Sequence, residues 1–133
     1  MDLIAFVRAR LDEDEARARA AAQDGAEWQH DGHAIVALPE RDLVALGSQD
    51  YIEPEHARHI TRHDPARVLA EVDAKRRIAK LYEDHERLDR ETFEAEGQHA
   101  RSLSSLRAAY WDACRHLALP YASHPDYRQE WKP

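Results

Sequence analysis

Apolar residues recur at helical spacing along most of the chain and break into short runs only between residues 27 and 47. Leu3, Ile4, Val7 and Leu11 form one stripe, which predicts an amphipathic helix from Asp2 to Gln23 with Asp24-Gly25 as its stop. Trp28 to His30 and His33 to Leu38 flank Asp31-Gly32, a pair suited to a tight type I′ hairpin, and Pro39 to Asp42 turns the chain into Leu43 to Leu46. The expectation is a small antiparallel meander with Trp28, Ile35 and Val44 facing the helices, since so few strands are unstable without a covered face. Ser48 to Pro54 connects to a short helix over Glu55 to His63. Asp64-Pro65 then ends that helix and starts another, because Asp suits the cap position and Pro the first helical position.

The new helix is expected from Pro65 to Glu96, with Val68, Leu69, Val72, Ile78, Ala79, Leu81, Tyr82 and Leu88 as its stripe and Gly97 at its end. A last helix, His99 to Leu117, places Leu103, Leu106, Tyr110, Ala113 and Leu117 toward it, as an antiparallel pair requires. The pattern as a whole predicts a mainly α (α+β) fold: an N-terminal helix, a small meander, a short helix, then a long helix pair with an aromatic tail. At 133 residues it is expected to form one domain spanning 1–133.

Composition narrows the class. Charged residues make up 34% against ten Gly and Pro in all, which suits a helical protein better than a disordered or all-β one. No apolar run approaches a membrane span, and charge interrupts the opening MDLIAFVRARLDEDE, so a cytoplasmic protein without membrane attachment is expected. The single Cys114 excludes an internal disulfide and a Cys-based zinc knuckle, and reads as a reduced core residue. In the first helix, Glu13 with Arg17 and Glu15 with Arg19 have the spacing of local ion pairs on a solvated face.

The candidate chemistry gathers at HARHITRHDPARVLAEVDAKRR, residues 56 to 77. His56, His59 and His63 fall on one helical face, and His59 with His63 has the i, i+4 spacing of helical metal sites. With Asp64 as a fourth donor, such a set suits zinc or nickel. The plainer alternative is an exposed polar face whose last histidine precedes a cap. A phosphohydrolase of the HD type would require His30 or His33 and Asp112 to join His63-Asp64, although Asp64-Pro65 is already accounted for by helix initiation.

Charge is unevenly distributed: the net formal charge is −8 over residues 1–55, +4 over 56–80 and −3 over 81–133. Arg58, Arg62, Arg67, Arg76 and Arg77, with Lys75 and Lys80, could meet an acidic partner, a nucleotide phosphate or nucleic acid. The overall charge of −7 and the lack of interleaved aromatics weigh against general nucleic-acid binding, and pairing with the acidic first helix is the simpler use. After Pro120, the tail PYASHPDYRQEWKP presents Tyr121, His124, Tyr127 and Trp131. It reads as a strap packed over the helix pair and the basic corner, with Arg62 or Arg67 meeting Tyr127 or Trp131, or as a partner-binding or dimer-forming arm.

HITRHDPARVLAEVDAKRR and LALPYASHPDYRQEWKP, together with the start LIAFVRARLDEDEARA, resemble a family of small proteins of unknown function from actinobacteria and their phages. The resemblance implies no activity, cofactor or catalytic residue. The reading that best joins these features is a non-enzymatic interaction or regulatory module with a protein partner or a second copy of itself. A small metal-dependent hydrolase at the His-rich corner is the alternative, and a nucleic-acid or nucleotide-binding accessory protein is a third.

Overall fold

Asp2 starts the first helix: its carboxylate accepts the Ala5 amide at 2.7 Å and its carbonyl the Phe6 amide at 2.9 Å. In the computed structural model, which describes residues 1–96 and 101–133 and the side chains outside 93–103, this helix is α1 (Leu3–Ala21). It is followed by β1 (Trp28–His30), β2 (Ile35–Ala37), β3 (Asp42–Ala45), α2 (Pro54–Arg62), α3 (Pro65–Glu96) and α4 (Arg101–Ala118), so the fold is mainly helical α+β. The chain divides into two compact units, residues 12–72 and residues 1–11 with 73–133.

In the unit formed by residues 12–72, the three strands make an antiparallel sheet in the order β1-β2-β3. The first hairpin pairs Trp28 with Ala37 and His30 with Ile35. Its turn is longer than the expected two-residue type I′. The Asp31 carboxylate accepts the amides of His33 and Ala34 at 2.9 and 2.8 Å, so the side chain organises a four-residue loop, and Gly32 takes its left-handed position at φ 101°. Those two amides hold the Asp31 carboxyl below its ordinary range.

Strand β2 is buried at all three positions, being covered on both sides as a central strand. Ile35 joins Ile52 and Ala57 in a core onto which Trp28, Val44, Ala45 and Ile60 pack, as the sequence predicts for Trp28, Ile35 and Val44. Between β2 and β3 the register slips, with Val36 opposite Leu43 and Ile35 opposite Ala45. Val44 is therefore a bulge residue with no counterpart on β2.

The corner between α2 and α3 forms as expected. The Arg67 amide donates to Asp64 Oδ1 at 3.0 Å and the Val68 amide to the Asp64 carbonyl at 3.1 Å, which caps α3 with Pro65 in its first turn.

In the other unit, Leu3, Ile4, Val7 and Leu11 of α1 are buried, as their spacing predicts, and Phe6 is buried with them. Helices α3 and α4 are antiparallel here: Tyr82 packs on Trp111 with ring centroids 5.2 Å apart, His85 on Tyr110 at 4.9 Å, and Asp89 accepts from Ser104 at 2.7 Å. The buried face of α4 differs from the expected one by a single residue. Leu106 is 42% exposed, whereas Ser104, Arg107 and Trp111 meet α3 and Cys114 and Ala118 are buried. One residue is about 100° of rotation, and the polar contacts of Asp89 with Ser104 and Arg107 select the face next to the more apolar one. On α3, Ala79 is buried but Leu81 and Leu88 are exposed, because the stripe drifts around the helix faster than its neighbour follows. The expected helix stop at Gly97, the start at His99 and the Leu103 side chain lie outside the described residues.

The tail packs within this unit. Tyr127 and Trp131 are buried against Phe6, with ring centroids 5.9 and 5.2 Å away, and His124 meets the same ring edge-on at 5.7 Å. Arg115 fastens the strap by donating to the backbone carbonyls of Trp131 and Lys132.

Candidate functional site

The three histidines of the corner lie exposed on α2 and at its end. The rings of His59 and His63 are 4.5 Å apart, and His63 Nδ1 donates to the His59 carbonyl at 2.9 Å, which orients its ring. Asp64 is tied into the backbone on both sides. Its Oδ1 holds the α3 cap and its Oδ2 accepts the Trp28 amide at 3.1 Å, so both oxygens already serve backbone donors. Among the described residues, no group of three or more His, Cys, Asp and Glu side chains is placed to hold a metal ion.

The basic segment is largely neutralised by its own helices. Arg58 pairs with Glu55, Arg67 with Glu71 at 2.8 Å, Arg77 with Asp73 at 3.0 Å and Lys80 with Asp84 at 2.7 Å. These are i, i+3 and i, i+4 partners on the same helices. Lys80 keeps the Asp84 carboxyl below its usual range. Arg62 is exposed at the end of α2, and Arg76 is half-buried on α3. On α1, Glu15 and Arg19 form the expected pair at 2.7 Å.

Within their own unit, the Trp131 ring has the Arg128 guanidinium at 5.5 Å, and the buried Arg10 sits 5.1 Å over Phe6 and contacts His124. Tyr127 and Trp131 are thus core residues of their unit. Tyr121, in a short 3-10 turn, and His124 are half-buried.

Recesses among the described residues lie within each unit. One of about 250 Å³ places His63 beside Trp28, Arg17, Pro65 and Val68. Two others share Tyr82 and Arg107: one of about 360 Å³ reaches Ala108 and Trp111, and one of about 430 Å³ reaches Asp2, Arg8 and Glu86. In the second of these, Arg8 forms a two-pronged ion pair with Glu83 at 3.0 and 2.6 Å. Burial pushes the Tyr82 hydroxyl above its ordinary value.

An exposed apolar set lies on β3 and the segment after it, where the sequence pattern indicates only a strand. Leu43, Leu46 and Tyr51 are 62%, 43% and 47% exposed. The bulge turns Val44 and Ala45 toward the core and leaves Leu43 and Leu46 outside. Gly47 allows the next turn to fold back closely, since a Cβ there would lie 1.9 Å from the Tyr51 carbonyl oxygen. Tyr51 is thereby brought beside the end of the strand. The detectable signal was the lack of alternation in Leu43-Val44-Ala45-Leu46, which gives a short strand apolar residues on both faces.

A mainly helical α+β protein with a small meander is the class that this architecture defines. The chain belongs to the family of unknown function DUF6221, whose model matches residues 1–133. No match to it was found among curated proteins or among solved structures. None of the helices among the described residues is long and apolar enough to cross a membrane.

Proposed function

We propose that this chain is a non-enzymatic interaction or regulatory module of actinobacterial or phage origin that acts on a protein partner in the cytoplasm. The observation that carries the reading is the exposed apolar set formed by Leu43 on the edge strand β3 and by Leu46 and Tyr51 in the segment that follows it, because unpaired strand edges bearing apolar side chains are sites at which other chains dock. The use of both Asp64 oxygens by backbone amides speaks for the same reading over a hydrolase, since recruiting Asp64 to a metal would uncap α3 and release β1. The local neutralisation of Arg58, Arg67 and Arg77 likewise favours a protein partner over nucleic acid. The origin rests on the resemblance of the corner and tail blocks.

The test joins elemental analysis of untagged protein with a photo-crosslinking residue at position 43 in the native host. The expected result is no stoichiometric metal and one discrete adduct that disappears in a Leu46→Lys background. One equivalent of zinc or nickel, lost in a His59→Ala/His63→Ala double variant, overturns the reading in favour of a metal enzyme. The absence of any discrete adduct overturns it as well.

A further inference from the structure

We infer that β3 accepts an extended, basic and apolar segment of another protein as a fourth strand; this rests on the interaction reading above and names the partner's chemistry. Three observations within residues 12–72 converge on it.

The first is backbone availability. Strand β3 pairs only with β2, so its outer row of amides and carbonyls has no strand partner among the described residues. The opposite edge is not equivalent. At β1 the Trp28 amide is taken by Asp64, and α2 lies against the strand. An added strand therefore finds its hydrogen-bonding row at β3, where main-chain bonds supply affinity and alternate side chains supply selectivity.

The second is the apolar set at that edge. Leu43 precedes the bulge on β3, and Leu46 and Tyr51 follow in the segment after the strand. An incoming strand with apolar residues at alternate positions covers them. The edge is short, since Asp42–Ala45 is four residues, so the partner segment is short as well.

The third is charge. Between Glu40 and Glu53 the chain carries Glu40, Asp42, Asp50 and Glu53 against Arg41 alone. All four carboxylates are exposed, and among the described residues none forms an ion pair. Many helical carboxylates instead meet an arginine or lysine one turn away, as Glu15, Glu71, Asp73 and Asp84 do. The acidic rim around an apolar edge is complementary to a strand that carries lysine or arginine beside its apolar residues. It also argues against a second copy pairing β3 with β3, which would bring Asp42 and Glu40 of both copies onto one short ladder and repel.

The test uses the full chain and a synthetic eight-residue peptide of alternating valine and lysine, with three controls: the valine–glutamate counterpart, a version with a central proline, and added salt. Binding is read by amide chemical shifts of the protein and by titration. The expected result is saturable binding of the valine–lysine peptide, with shifts concentrated at residues 42–46. Binding should weaken by about tenfold in Glu40→Lys/Asp42→Lys and fall with salt, as exposed charge pairs do. The proline version should lose binding, because strand addition needs the removed amide.

No binding by the valine–lysine peptide, equal binding of the glutamate counterpart, or shifts confined to other residues would each overturn the inference. Retention by the proline version reduces the contact to charge attraction and overturns strand addition. Because Glu40 and Asp42 are exposed, their substitution leaves folding intact, and the unchanged amide spectrum of the free double variant verifies this. A partner that covers Leu43 and Leu46 with a helix or an uncharged surface, and not with an added basic strand, still yields the crosslinked adduct in the host while failing here, so the two readings fail separately.

Discussion

The Trp28 amide donates to Asp64 Oδ2 at 3.1 Å, while the other oxygen of the same carboxylate caps α3 through Arg67. One side chain thus fixes both the start of a helix and the outer edge of a strand 36 residues earlier. The Ala66 amide reinforces the junction by donating to the Ala26 carbonyl at 3.0 Å.

Removing that carboxylate tests the junction. Asp64→Ala loses a helix cap, worth about 0.5–2 kcal/mol, and leaves a part-buried amide unpaired, at about 1–3 kcal/mol, for a total loss of roughly 2–4 kcal/mol. Asp64→Asn can accept only one of the two amides and is expected to fall between the variant and the parent. Urea unfolding measures both, and a stability equal to the parent in Asp64→Ala would show that the carboxylate holds nothing together.

The tail supplies a paired prediction. Trp131→Ala opens a cavity against the fully buried Phe6 and should cost about 3–5 kcal/mol. Tyr127→Phe should do the opposite. The Tyr127 hydroxyl is buried without a hydrogen-bond partner among the described residues, so deleting it removes a desolvation penalty of about 1–3 kcal/mol. Thermal melts that show Tyr127→Phe at or above the parent, and Trp131→Ala well below it, are the expected pattern. A marked drop for Tyr127→Phe would mean that the hydroxyl has a partner.

Position 106 separates the observed face of α4 from the one that the apolar pattern suggests. With Leu106 at 42% exposure, Leu106→Asp is expected to change stability by only about 0.5 kcal/mol, the usual range for surface sites. Cys114→Asp should instead destabilise by several-fold more, since it buries a charge. Equal losses at the two positions would contradict the one-residue rotation.

The sequence made the helices legible because their stripes, caps and stops agree with one another. Asp2, Asp64-Pro65 and the α1 stripe each point to one structure. The face of α4 was not legible, because Leu103, Leu106 and Tyr110 form a plausible stripe and long-range contacts, of Asp89 with Ser104 and Arg107 and of Tyr82 with Trp111, favour the neighbouring one. The corner was legible as a place and not as chemistry. Spacing can put His59 and His63 side by side, but it cannot reveal that a strand distant in sequence already occupies Asp64. The β3 edge was missed for a related reason, since the exposure of Leu43 depends on a bulge that no local pattern specifies.

Cys114 provides a pH test. Burial raises its thiol to about 11, against about 9 for an ordinary thiol. The unfolded chain therefore loses this proton first as pH rises, so the contribution of Cys114 to stability is intact below about 9 and falls between about 9 and 11. Cys114→Ala should flatten that segment of the stability profile. Alkylation by iodoacetamide at pH 8 should be slow in the native protein and fast in urea; rapid native labelling would contradict a buried, protonated thiol.

The packing of Phe6 against His124, Tyr127 and Trp131 also sets a timetable for synthesis. Phe6 leaves the ribosome before residues 7–123 are translated, and its three ring partners follow only after that intervening chain. Residues 12–72 form their unit from one contiguous stretch and can assemble while translation continues. The apolar face of the first helix, in contrast, waits uncovered until the tail arrives, so this is the surface that nascent-chain chaperones would meet.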